Sequence, residues 1–323
     1  MKPGRPSATI TIDGKSLTAF EAGLVRLTVE MAHGTHHTAE LTLWPKSKFA
    51  DSSAGAPITL ALGVDGDDGD LLTGEIAGTG GNSTGVRLDA VSATIALSRA
   101  RKSQTYVSQT VADIVNDLAS DVDVDEVSAG LTLSAYSVDQ RRTVWSHLVE
   151  LASLAGADLG CAASGGLRFV PPASGPGSFR FMFGATVLEW RLANLTPPSV
   201  PKIAPNGAAS EQGSDKWHWF LFDPVGQGAD PTRVVGAFHT RDAADALAKS
   251  LEDRAARAAV RGYVRLVGEA GLRPGEVIEI KDLPGPVAGP FRLLTVQHTF
   301  DARYGFYTDA TVEGGGAGGG LPF

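Results

Sequence analysis

The chain has 323 residues, 43% of them hydrophobic and 20% charged, and a formal net charge of −8. That length predicts about two domains, and the hydrophobic share is enough to bury a core, so disorder is not the default reading. The acidic balance disfavours a nucleic-acid reader held by phosphate contacts, although an acidic wall can line a channel along which nucleic acid slides.

One cysteine, Cys161, excludes an internal disulfide framework and a cysteine-based zinc site; its small-residue surroundings predict a buried hydrophobe. The start, MKPGRPSATITIDG, lacks the apolar segment of a signal peptide, and no run of about 18 apolar residues follows. The expectation is a chain made in the cytoplasm with no membrane anchor.

Residues 1–100 read as strands. ATITIDG alternates and turns at Asp13-Gly14. LVRLTVEM places Leu27, Val29 and Met31 on one face and Thr28 and Glu30 on the other, and AELTLW repeats the pattern with Ala39, Leu41 and Leu43 inward and Thr42 outward. PITLALGV, LLTGEIAG and GVRLDAVSATIAL continue the series between Gly- and Asp-rich turns, which predicts antiparallel sheet or barrel. Residues 101–172 change period. Val111, Ile114, Val115 and Leu118 recur at helical spacing with Ser108 as N-cap, and Val144, Leu148, Leu151 and Ala155 form a second helix stopped by Gly156. LRFVPP adds a strand, so this stretch is predicted as an α+β insert.

Residues 173–313 return to strand in SGPGSFRFMFG, then TPPSVPKIAPNGAASEQGSD reads as loop by composition. WHWFLF and RVVGAF read as strands. A long helix is predicted from about Arg241 to Arg261, with Ala244, Leu247, Leu251, Ala255 and Ala258 inward and Asp245–Lys249 and Asp253–Arg257 as ion pairs on the wet side. YVRLV, VIEIKD, FRLLTVQHTF and FYTDATVE complete the strands. The tail 314–323, GGGAGGGLPF, is too glycine-rich to hold structure alone.

Chemistry is suggested at few places. HGTHHTAELTL holds His33, His36 and His37, but sequential residues on a strand face opposite sides and no Asp, Glu or Cys stands at ligand spacing. A polar hairpin tip facing solvent, a lumen or a partner is predicted, with all three replaceable by Asn or Ser. DGDDGD fails the EF-hand pattern, since Asp65 as first position puts Gly69 fifth and Ile76 twelfth. Asp121, Asp123 and Asp125 predict an exposed acidic edge. His298 shares a stripe with Leu294, Val296 and Phe300, which predicts a hydrogen-bonded core histidine. No nucleophile elbow or phosphate-binding loop occurs, so no catalytic residue, metal or cofactor is assigned. Trp217, Trp219, Phe220 and Phe222 admit a glycan- or receptor-binding module, but a barrel core or a subunit interface is the favoured reading, because aromatics dominate both. A cell-wall hydrolase stays open as an alternative, because any two acids can meet in space.

Residues 234–313 carry a familiar order: a strand, an Ala-rich helix, a strand ending in Gly, then Leu272, Pro274 and Gly275, then Gly289 and Phe291, then Val296, His298 and Phe300, then Gly305 and Thr308. This resembles the late control protein D family of phage tail baseplate hubs, related to the hub half of the valine-glycine-repeat spike proteins of type VI secretion. The middle is similar through Thr110, Val111, Ile114 and Val115 and through Tyr136, Leu151, Ala152 and Gly156, whereas RRTVW replaces the usual acidic entry to the second helix.

The resemblance implies a mainly β protein of two similar tube-like barrels around the insert, three copies forming a pseudo-sixfold ring. Such a ring joins a sixfold tail tube to a threefold central spike. It implies a structural, non-enzymatic virion or injection-particle component, made in the bacterial cytoplasm and assembled into the tail baseplate. Implied partners are a central spike protein, the tail tube or its initiator, baseplate wedge proteins and the tape measure protein, with no sequence-specific nucleic acid. Thr28, Glu30 and Thr42 are the expected lumen or interface residues, and Leu321, Pro322 and Phe323 an expected contact for the spike.

Overall fold

The computed structural model describes residues 4–173, 175, 177–205, 224–285, 287 and 289–315. The first hundred residues form β1 (Pro6–Ile12), β2 (Lys15–Thr18), α1 (Ala19–Ala22), β3 (Leu24–Ala32), β4 (Thr38–Leu43), β5 (Pro57–Val64), β6 (Asp67–Asn82), β7 (Gly85–Ser92) and α2 (Ile95–Arg99). Their alternation is realised as register. Leu27 lies opposite Leu41, and Leu41 opposite Leu88, so the apolar stripes of β3, β4 and β7 share one face. Asp65 and Gly66 both take positive φ, as a two-residue hairpin turn between twisted strands requires.

The insert region holds β8 (Gln104–Thr110), α3 (Val111–Leu118), β9 (Val124–Val127), β10 (Thr132–Val138), α4 (Val144–Ala155), β11 (Asp158–Cys161) and β12 (Leu167–Val170). Thr110, not Ser108, caps α3, accepting from the Asp113 amide; Ser108 sits inside β8 at φ 51°. Thr143 caps α4, and Gly156 ends it in the left-handed conformation that glycine adopts freely. Of the acidic run, Asp121 and Asp123 lie exposed just before β9 and Asp125 within it, and β9 is the edge strand of a sheet ordered β11-β12-β9.

The last third holds β13 (Phe179–Met182), β14 (Val187–Asn194), β15 (Pro201–Pro205), β16 (Ala229–Val235), α5 (Arg241–Arg257), β17 (Val260–Val267), β18 (Val277–Lys281), β19 (Pro290–Asp301) and β20 (Gly305–Gly314). Pro201–Pro205, expected as loop, is a short strand parallel to β16, because Ile203 and Ala204 are buried and both prolines stand at its ends. The long helix stops at Arg257, four residues before its expected end, and Val260 already opens β17. Its predicted ion pairs are replaced: Asp245 meets Arg241, and Arg257 turns inward to Glu313. The predicted strand WHWFLF and the aromatics Trp217, Trp219, Phe220 and Phe222 lie outside the described residues.

One thirteen-stranded sheet runs β14-β17-β20-β19-β3-β4-β7-β6-β5-β1-β2, with β18 on β19 and β13 beyond it. β19 joins the two ends of the chain. Pro290 to Arg292 pair with β18, and Thr295 to Asp301 pair with β3. A bulge between Leu293 and Thr295 marks the change of partner and reverses the alternation, so Leu293, not Leu294, joins Val296, His298 and Phe300 on the buried side.

The sheet wraps two separate cores. One contains Ile10, Leu27, Leu41, Leu60 and Leu88, and the other Val264, Leu266, Phe291, Leu293 and Val312. The ladder has free ends at β2 and β14, so the expectation of two similar barrels holds in its coarser form, a mainly β fold around two cores. A third core belongs to the insert, with Val111, Leu148 and Phe169, and it also takes Ile203, Phe238, Ala244 and Leu247. Residues of β15, β16 and α5, from the expected 173–313 segment, thus pack on the same core as residues 101–172.

Candidate functional site: a polar sheet face and the histidine junction

Thr28, Glu30 and Thr42 stand on the outer face of β3 and β4, opposite the buried stripes. They border a shallow hollow of about 530 Å³ with Arg26, Glu40, Arg87, Asp89 and Gln297. A second hollow, about 570 Å³, continues the same surface across β19 and β20 to Tyr263 and Asp309, with Glu30, Thr38 and Gln297 common to both. The face is polar and internally compensated. Arg87 reaches Glu40 at 3.1 Å and Asp89 at 2.9 Å, Gln297 donates to Glu30 at 2.7 Å, and Arg265 and Tyr263 both donate to Asp309. Such a surface offers a polyanion no strip of unpaired cations.

The histidine loop between β3 and β4 is not an exposed tip. His37 is 2% exposed, and the loop is clamped by the insert. The Gly34 amide donates to the Leu159 carbonyl at 2.8 Å, the Trp145 indole donates to the Gly34 carbonyl at 3.2 Å, and the Trp145 ring lies 4.1 Å from the His36 ring. His36 contacts the hydroxyls of Thr94 at 2.9 Å and Ser98 at 2.6 Å, and Thr94 in turn meets the Cys161 thiol at 2.9 Å. Burial pushes His36 down to about 4 and His37 down to about 3, so both rings are neutral at pH 7. His33 is also lowered, chiefly by burial, with Asp158 opposing.

Beside it lies a buried ionic cluster that sequence reading missed. Arg292 donates to Glu313 at 2.9 Å and to Asp158, its side chain only 4% exposed, and its Nη2 lies 3.2 Å from His33 Nε2. Arg257 from α5 donates to the same Glu313 oxygen at 3.1 Å. The cluster ties β11, α5, β19, β20 and the histidine loop at one point. No local motif signals it, because Asp158, Arg292 and Glu313 come from three elements; an Arg inside the apolar run FRLLTV was the only visible sign.

Part of the C-terminal motif, Leu272, Pro274, Gly275, His298 and Thr308, meets at the loop between β17 and β18. Pro274 and Gly275 fill the centre of a turn closed by the Glu276 amide on the Arg273 carbonyl, with Gly275 at φ 93°. Leu272 is buried, and its carbonyl lies 3.0 Å from His298 Nε2, while His298 Nδ1 meets Thr308 at 3.0 Å. Complete burial pushes His298 down to about 3. Phe291 and Phe300 are buried in the two different sheet cores, Gly289 precedes β19 at φ 125°, and Gly305 opens β20 at φ 86°. Leu321, Pro322 and Phe323 lie outside the described residues. Among the described residues no three His, Cys, Asp or Glu side chains converge as a metal set, and no helix is long and apolar enough to cross a membrane.

No protein-family model and no curated protein sequence matches this chain. Solved structures do. A tail protein from Neisseria meningitidis MC58 is 15% identical with a TM-score of 0.73 over 97% of this chain and 98% of that one. The 43 kDa tail protein of prophage MuSo2 from Shewanella oneidensis is 12% identical with a TM-score of 0.70, covering 95% and 98%. An Escherichia coli component of the type VI secretion system, described as structurally similar to the T4 tail proteins gp27 and gp5, is 14% identical with a TM-score of 0.61, covering 94% and 76%. The chain shares its fold with these tail proteins and with the type VI secretion component.

Proposed function

We propose that this chain is a structural hub of a phage tail or related contractile injection machine, with no catalytic task. Three copies form a ring in which the two sheet-wrapped cores of each copy act as two of six tube-like segments. The ring meets the sixfold tail tube or its initiator on one side and a threefold central spike on the other, with wedge and tape measure proteins as further neighbours. The observation that carries this reading is the single ladder running through both cores. Because β19 pairs with β3, the outer faces of the two halves form one continuous polar wall. A ring lined by that wall, Thr28, Glu30 and Thr42 included, presents paired charges to passing DNA or protein and so avoids counterion-driven sticking. Tail-like relatives of this fold support the assembly role, and the place of action is the assembled particle.

Native mass measurement of the pure protein, alone and mixed with the tail components, tests the proposal. A trimer, or capture of a spike or tube protein, is the expected result. A chain that stays monomeric and captures neither overturns it. Interfaces of obligate assemblies bury upwards of about 2,000 Å² per pair, so a stable ring should survive dilution.

A further inference from the structure

A cavity of about 320 Å³ opens where α4, the end of α5, the start of β17 and the strands β19 and β20 meet. Its wall contains four guanidinium groups, Arg254, Arg257, Arg261 and Arg292, against two carboxylates, Asp158 and Glu313. Glu313 is shared, accepting from Arg257 and Arg292 through one oxygen, and Asp158 accepts from Arg292. Arg254 and Arg261 are exposed and pair with no carboxylate among the described residues. The buried Nε of Arg292 has no acceptor. Burial lowers the pKa of His33, which lines the same wall. The cavity thus keeps an excess of two positive charges in a chain whose net charge is −8. The excess sits on the exposed Arg254 and Arg261, beside the paired Arg257 and Arg292, where it attracts an incoming anion at short range and is screened by salt.

We propose that this cavity is an anion site that takes the carboxylates of an acidic polypeptide segment from a partner protein. Guanidinium forks match an oxyanion in geometry, and carboxylate and phosphate share that chemistry. The apolar shoulder favours polypeptide. Val149, 40% exposed, and the partly buried Leu294 line the same cavity and offer contact to a side chain flanking the acid.

Fluorescence anisotropy on the full-length protein tests the site with a labelled peptide of alternating glutamate and leucine, in low salt. Saturable binding is expected, weakening with added salt. Arg254→Gln with Arg261→Gln should weaken it at least tenfold, and the corresponding double Lys substitution should restore part of it. Both residues are exposed, so an unchanged unfolding midpoint verifies that the variant folds. Lys46→Gln with Lys48→Gln, the same charge change at a remote exposed site, should bind as the parent does. Absence of saturable binding, equal loss in both Gln variants, or equal binding of a glutamine-leucine peptide each overturns the site. Displacement of the peptide by inorganic phosphate at concentrations below those of competing peptide overturns the polypeptide assignment. None of these readings requires a ring, so they stand or fall apart from the hub reading.

Discussion

Arg292 shows how one side chain can hold three units together. Its guanidinium joins Glu313 of β20 to Asp158 of β11 beside His33. Removing one partner of a buried pair leaves the other charge desolvated, so Arg292→Ala should cost about 3–5 kcal/mol in chemical denaturation. A loss under about 1 kcal/mol would mean that Arg257 alone satisfies Glu313. The neighbouring histidines set the acid limit of the fold. His36, His37 and His298 are neutral when folded, while in the unfolded chain they take up a proton below about pH 6.5. Folded-state values are depressed, so the unfolded state binds more protons and stability falls as pH drops from about 6.5 towards about 4. Each histidine contributes up to about 1.4 kcal/mol per pH unit in that window. Unfolding midpoints at pH 7 and pH 5 read this directly, and equal midpoints would contradict it. Replacing His33, His36 and His37 together by Asn, harmless for an exposed tip, should instead destabilise the chain by more than about 2 kcal/mol.

At the scale of elements, turns and caps fix where strands and helices meet. Gly156 and Gly34 both have positive φ, at 64° and 71°. A Cβ on Gly34 would meet nothing within 4 Å, whereas one on Gly156 would lie 2.5 Å from Ser250 Cβ on α5. Gly34→Ala should therefore cost about 1–2 kcal/mol from backbone strain alone. Gly156→Ala should cost clearly more, since α4 must also move away from α5; equal thermal shifts for the two would refute that contact. The bulge in β19 is the other decisive element feature. The strand pattern of FRLLTVQHTF was legible, but the change of partner from β18 to β3 was not, because a bulge depends on which strands compete for the edge. Likewise Thr110 displaced Ser108 as helix cap because β8 pairs with β10 as far as Thr110.

For the whole molecule, the insert is not a bead on a linker. It grips the β3–β4 loop through Trp145 and Leu159, and it draws α5 and β15 into its core. Trp145→Ala should loosen this grip, with amide exchange rising across residues 33–37 and in α4 while the centre of β4 and β7 stays protected. Uniform exchange across the whole chain would instead point to one cooperative unit.

What the sequence determined by itself is local and periodic. Alternation in LVRLTVEM and AELTLW set the buried faces, the run DGDDGD marked a turn, Pro274-Gly275 suited another, and the C-terminal order of elements pointed to a tail-protein fold. What only the tertiary structure decided is pairing between distant segments. The histidine loop became a socket because Trp145, more than a hundred residues on, packs over it. Arg257 left its predicted helix partner because Glu313 offers a drier and better-fixed acceptor. Periodicity reports which side of an element avoids water, whereas the identity of what covers that side depends on contacts between remote parts of the chain.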